Sequence, residues 1–175
     1  MLAAFLFALP AHAAEPTTVT LWHSYRGAEE QALDRVLAAY HESQPAIRVE
    51  ALAIPNDVLA SKLTTALPRG HGPDVFVFAH ERIGGWAKAG MLRALDADLA
   101  PGQVDGFLPE TVGPLRYDGK LWGLPLSFKS LALFYNKALV PMPPKTSDEM
   151  VALARPLSGG GRFGLAWETG NFYCH

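Results

Sequence analysis

The sequence predicts an α/β fold, a parallel sheet with helices on its faces. Three observations carry this. Over the first hundred residues, apolar runs of strand length alternate with segments of helical period, an order that implies parallel strands joined by crossover helices. The run Asp74-Val75-Phe76-Val77-Phe78 is apolar after its first residue, as in a strand buried on both sides. And 49% of the 175 residues are apolar, enough for one substantial core but not for two large ones.

Val19 to Trp22 is the first strand-like run. Gly27 to Ser43 reads as a helix, because Leu33, Val36, Leu37 and Tyr40 recur at helical spacing while Glu29, Glu30, Asp34 and Arg35 take other faces. Glu29 and Glu30 suit its first turn, where the helix dipole favours acid, and Pro45 stops it. Ile47 to Ala51 alternates apolar and charged residues, which is strand patterning. Asn56-Asp57 should cap a second helix, Val58 to Leu67, with Leu59, Leu63 and Ala66 on one face. After the strand at Val75, Ile83, Trp86 and Ala87 face inward from a short helix that Gly90 ends. Ligands on such sheets bind beyond the carboxyl ends of the strands, so the loops after Trp22 and Val77 matter most. Further on, Tyr117-Asp118-Gly119-Lys120 is a hairpin turn between Leu115 and Leu121. Ser127 to Lys137 is largely apolar and strand-like, Pro141-Met142-Pro143-Pro144 is a rigid connector, and Thr146-x-x-Glu149 is a capping box before Val151, Ala152 and Leu153.

Fifteen Lys and Arg against seventeen Asp and Glu give a net charge of −2, which excludes binding to nucleic acid by bulk charge. The single cysteine, Cys174, cannot form an intrachain disulfide, and no zinc-type spacing exists. Leu2 to Leu9 is an apolar run, Pro10 breaks it, and Ala11-His12-Ala13 is an A-x-A pattern. This reads as a secretory signal peptide over residues 1–13, cleaved near Ala13; the alternative is a short buried N-terminal helix. No Cys follows the run to take a lipid, and a secreted chain without disulfides fits a bacterial periplasm.

Chemical motifs are few. Gly159-Gly160-Gly161-Arg162-Phe163-Gly164 matches G-x-G-x-x-G, but a helix precedes it and a strand-like run, Phe163 to Trp167, follows. A dinucleotide loop needs the reverse order, so this is a helix-to-strand connection and no cofactor is expected. The six histidines are scattered, and His80-Glu81, as chain neighbours, diverge, so no metal site is expected. What remains is aromatic and charged residues at strand ends: His23, Ser24, Tyr25 and Arg26 after the first strand, and Phe78, Ala79, His80, Glu81 and Arg82 after the third. Flat apolar rings beside fixed donors and acceptors suit a sugar, whose C–H face stacks and whose hydroxyls need partners. Trp22 and Trp86 read as core. From residue types alone, Tyr25-Arg26 and Glu81-Arg82 fit a solvated loop equally well.

Three blocks then carry a resemblance. Gly72-Pro73-Asp74-Val75-Phe76-Val77-Phe78-Ala79-His80-Glu81-Arg82-Ile83-Gly84-Gly85-Trp86-Ala87 resembles the maltose-binding protein family of solute-binding proteins. So do Arg116-Tyr117-Asp118-Gly119-Lys120-Leu121-Trp122-Gly123-Leu124-Pro125, and Leu133-Phe134-Tyr135-Asn136-Lys137 with Pro143-Pro144-Lys145-Thr146. Gly-Pro-Asp is common to many solute-binding families, whereas the Ala-His-Glu-Arg-x-Gly-Gly run is narrower and points to maltose or maltodextrin binders.

The resemblance implies a periplasmic-binding-protein-like (type II) fold of two α/β lobes with sugar in the cleft between them. Family members are longer, so it implies an N-terminal fragment: a first lobe over residues 14–127, and a hinge crossing with the truncated start of a second lobe over 128–175. Such a fragment should bind sugar poorly, since a cleft site needs both walls. It implies no enzyme activity, delivery of maltose or a related oligosaccharide to an inner-membrane ABC permease, and a monomer at full length. Carried over by position, Tyr25 and Arg26 match an acid–base pair that bonds sugar hydroxyls, with Tyr25 replacing the carboxylate. Phe78 matches a stacking aromatic and Ala79 follows it; Glu81 matches an Asp that accepts hydroxyl bonds, with Arg82 beside it. Lys129 stands where the family has a Glu, a reversal that favours another sugar or a sugar phosphate. Phe172 or Tyr173 would match a stacking aromatic of the second lobe. A secreted glycan-active enzyme would need two placed carboxylates, and only Glu81 is a plausible cleft acid.

Overall fold

The structure, a computed structural model, describes residues 15–130 and 132–166. The N-terminal run expected to be a leader, and Trp167, Phe172, Tyr173 and Cys174, lie outside the described residues. The chain divides after Leu126 into two units.

In the first unit, β1 (Thr17–His23) is central in a parallel three-stranded sheet of order β2-β1-β3, with β2 at Ile47–Ala53 and β3 at Val75–Phe76. The register pairs Thr17 with Ile47 and His23 with Ala53 on one side, and Leu21 with Val75 and Trp22 with Phe76 on the other. Helices α1 (Ala28–Ser43), α2 (Asn56–Ala66) and α3 (Ile83–Lys88) follow β1, β2 and a 3₁₀ turn after β3. The alternation foretold from the apolar pattern is present. The core gathers Ile54, Leu59, Leu63 and Trp86, with Trp22, Phe76 and Phe78 packed against it. Phe76 meets the Trp86 ring edge-on, centroids 5.5 Å apart at 83°.

Local differences have physical causes. Gly27 is not in α1 but precedes it at φ +55°, which a glycine takes freely. Leu33 and Leu37 of α1 are half-buried, whereas Val36 is 63% exposed, so the inward stripe is narrower than the spacing suggests. Pro55, not Asn56, is the N-cap of α2, and Asn56 Oδ1 instead accepts from Ser24 Oγ at 3.4 Å. The β3 strand is only two residues long, and Val75 is 51% exposed rather than buried on both faces. Asp74 stands where a further ladder residue would. Its Oδ2 accepts from both the Thr20 N–H and the Thr20 hydroxyl at 2.8 Å, and its own N–H donates to Thr20 Oγ1 at 3.0 Å.

After a short helix α4 (Pro109–Val112), β4 (Arg116–Tyr117) and β5 (Lys120–Leu121) form the expected hairpin. Asp118 and Gly119 have φ of +51° and +73°, the two left-handed residues of a type I′ turn. The hairpin is tied back: Leu121 N–H donates to Asp96 Oδ2 at 3.0 Å, and Lys88 Nζ lies 5.7 Å from the Tyr117 ring centroid.

The second unit holds α5 (Ser147–Leu157). Thr146 Oγ1 accepts from Glu149 N–H at 3.2 Å, and Glu149 Oε2 accepts from Lys145 N–H at 2.7 Å, a capping box shifted by one residue on its return arm. Gly159 and Arg162 exchange backbone hydrogen bonds at 3.1 Å, closing a tight turn through the three glycines. The apolar runs 127–137 and 163–166 are not strands among the described residues. A run becomes a strand only where a neighbouring strand takes up its N–H and C=O groups in a ladder; here Gly164 N–H instead donates to Ser158 Oγ at 2.9 Å, and Asn136 O accepts from Leu139 and Val140 N–H. An apolar hollow of about 740 Å³ opens in this unit, lined among others by Phe134, Met150, Leu153, Leu157, Phe163 and Leu165.

Candidate functional site

The parallel sheet sends the loops after β1, β2 and β3 to one end, the carboxyl end of its strands. The loop after β1 carries Tyr25 and Arg26. The loop after β2 carries Ile54 and Pro55. Beyond β3 come Phe78, Ala79 and the 3₁₀ turn His80–Arg82, which holds Glu81 and Arg82.

The first two loops are stitched together. Ile54 N–H donates to His23 O at 2.8 Å, and Ser24 reaches Asn56 across the same gap. Between them lies a depression of about 180 Å³, lined by Tyr25, Arg26, Glu30, Ala53, Ile54 and Pro55. The third loop is stitched to β1 by Val77 N–H donating to Trp22 O at 2.9 Å. Phe78 is half-buried, and its ring lies 5.2 Å from that of Trp86 at 50°, so one side of it is committed to the core. Ala79, Glu81 and Arg82 are exposed.

Thus Tyr25 and Arg26 share one hollow, and Phe78, Ala79, Glu81 and Arg82 occupy the same end of the same sheet on the opposite side of β1. Lys129 is exposed in the second unit, and Phe172 and Tyr173 lie outside the described residues. Glu30, Ile54 and Pro55 were not anticipated from the sequence. The parallel-sheet rule pointed at Ile54 and Pro55, since the loop after the second strand opens at the same end as the other two, whereas Glu30 comes from the first turn of α1.

The residues that line the hollow include a tyrosine, an arginine and a glutamate beside apolar Ala53, Ile54 and Pro55, so donor, acceptor and ring chemistry are all present in its lining. Among the described residues, no group of three or more His, Cys, Asp or Glu side chains could hold a metal ion. No helix among them is long and apolar enough to cross a membrane.

Residues 26–173 match the family described as bacterial extracellular solute-binding protein. A maltotriose-binding protein of Pyrococcus abyssi (strain GE5 / Orsay) is 29% identical over 157 residues, 89% of this chain and 34% of its own. The maltodextrin-binding protein MdxE of Bacillus subtilis (strain 168) is 35% identical over 103 residues, 59% and 23% respectively. Among solved structures, the Thermus thermophilus maltotriose-binding protein bound with maltotriose superposes with a TM-score of 0.64 at 29% identity, covering 83% of this chain and 38% of that one. A cyclo/maltodextrin-binding protein complexed with maltotetraose gives 0.68 at 26% identity, covering 84% and 38%. The chain spans about a third or less of the length of these curated relatives.

Proposed function

The chain belongs to the family of bacterial extracellular solute-binding proteins and has part of their type II periplasmic-binding-protein fold, and on that premise we propose that it belongs to the maltooligosaccharide-binding component of an ABC importer. The observation that carries this reading is the gathering of Tyr25, Arg26, Phe78, Glu81 and Arg82 at the carboxyl end of one parallel sheet, where such folds take ligands. Maltotriose and maltodextrin binding in the relatives' names supports the choice of sugar.

In this reading residues 14–127 are the first lobe, and residues 128–175 are the hinge crossing and the opening of the second. Arg26 and Tyr25 bond hydroxyls, Glu81 accepts from hydroxyls as a charged acceptor with Arg82 beside it, and the free side of Phe78 packs on a sugar ring. Ala79 contributes backbone beside Phe78, and Phe172 or Tyr173 stacks from the second lobe. The role is capture and release, not bond cleavage. A leader removed near Ala13 places the protein in the periplasm, monomeric, where it hands sugar to an inner-membrane permease.

Lys129 favours a second reading, a sugar-phosphate ligand, because a cation stabilises a dianion that maltose lacks. Titration calorimetry of the full-length protein with maltotriose, maltose, trehalose and glycerol phosphate separates the two. Heat with maltotriose and none with glycerol phosphate supports the oligosaccharide reading. The reverse pattern transfers the site to a phosphate, and silence with all four overturns both.

A further inference from the structure

His23 ends β1 and is 2% exposed, yet its Nδ1 is a buried side-chain atom without a hydrogen-bond partner among the described residues. A buried polar atom left without a partner is costly. An apolar side chain would fill the place without that cost. The other feature of the ring is its neighbour. His23 and Tyr25 lie two residues apart, and their ring centroids are 5.9 Å apart at 35°. The backbone beneath is fixed, since His23 O accepts from Ile54 N–H at 2.8 Å. Tyr25 in turn lines the hollow with Arg26, Ile54 and Pro55.

We infer that His23 is a positioning residue of this site: a buried, backbone-pinned ring that holds the Tyr25 ring in place for the ligand. The inference rests on the sugar-binding reading for what Tyr25 is held toward, but not for the contact itself. Holding a side chain in its bound position before the ligand arrives removes an ordering cost from binding. His23 touches no ligand, so its whole effect passes through Tyr25.

The test is a double-mutant cycle in the full-length protein with His23→Leu, which keeps the volume but removes the ring, His23→Phe, which keeps a ring, and Tyr25→Ala. Two readouts are taken: maltotriose affinity by calorimetry, and the Tyr25 ring resonances by NMR without ligand. His23→Leu should shift the Tyr25 resonances and weaken maltotriose about two- to tenfold, the range of one aromatic pair. His23→Phe should restore affinity to within about twofold. In the Tyr25→Ala background, His23→Leu should cost nothing further. Additive losses in the double variant, or Tyr25 resonances indifferent to His23→Leu, overturn the inference. Should the wild type not bind maltotriose, the sugar reading fails, and the ligand-free resonances still decide the role of His23.

Discussion

Asp74 ties two strands with one carboxylate. Thr20 donates its N–H first and its hydroxyl second, and these bonds hold the Asp74 carboxyl below its usual range. An unfolded aspartate titrates near ~3.9. Since folding lowers that value, the stabilisation is fully present above about pH 4 and is lost as pH falls through the folded pKa. Asp74→Ala should therefore lower the urea midpoint at neutral pH, and the gap from wild type should close on acidification; a gap that persists in acid would assign the effect to packing. Phe78 stands at the junction of core and site. Because its ring packs on Trp86, Phe78→Ala should cost stability, about 1–3 kcal/mol for a half-buried ring, as well as maltotriose affinity. Glu81 is exposed, so Glu81→Gln should weaken maltotriose by about 1.5–3 kcal/mol and leave the thermal midpoint unchanged. Urea melts and calorimetry on the same samples separate the two behaviours.

At the scale of elements, the type I′ turn carries a sharp expectation. Gly119 sits at φ +73°, so Gly119→Val should destabilise the first unit by about 1–2 kcal/mol, read as a shift in the denaturation midpoint. Those elements were legible where the chain's own bonds decide them. Asp118-Gly119 sets its turn from two residues, Thr146 and Glu149 cap α5 from four, and the 3.6-residue period of Leu59 and Leu63 places the buried face of α2. They were illegible where a distant partner decides. The apolar run at Val75 looks like a full strand, but Asp74 takes over the Thr20 bond and leaves two paired residues. The run from Ser127 looks the same and forms no strand among the described residues. The site was half legible for a related reason. Tyr25, Arg26, Phe78 and Glu81 are chemically conspicuous, whereas Ile54 and Pro55 become part of a hollow only through the parallel register that brings Ala53 beside His23.

Across the whole molecule, the two units meet in sequence at a segment of exposed residues without helix or strand, Leu126 to Ser130. Limited trypsin digestion should cut first after Lys129, as exposed connectors are nicked before structured elements, and should leave the β1–β5 unit intact. Earlier cleavage inside that unit would mean that it is the less stable of the two. The central place of β1 has a consequence in time. Both its partners, Ile47–Ala53 and Val75–Phe76, are synthesised after it. At roughly 5–20 residues per second of translation, Leu21 waits several seconds for Val75 to exist. Throughout that wait the strand that leads into Tyr25 and Arg26 is unpaired on at least one side, so a ribosomal pause before Phe76 would prolong the exposure of the apolar run that anchors the site.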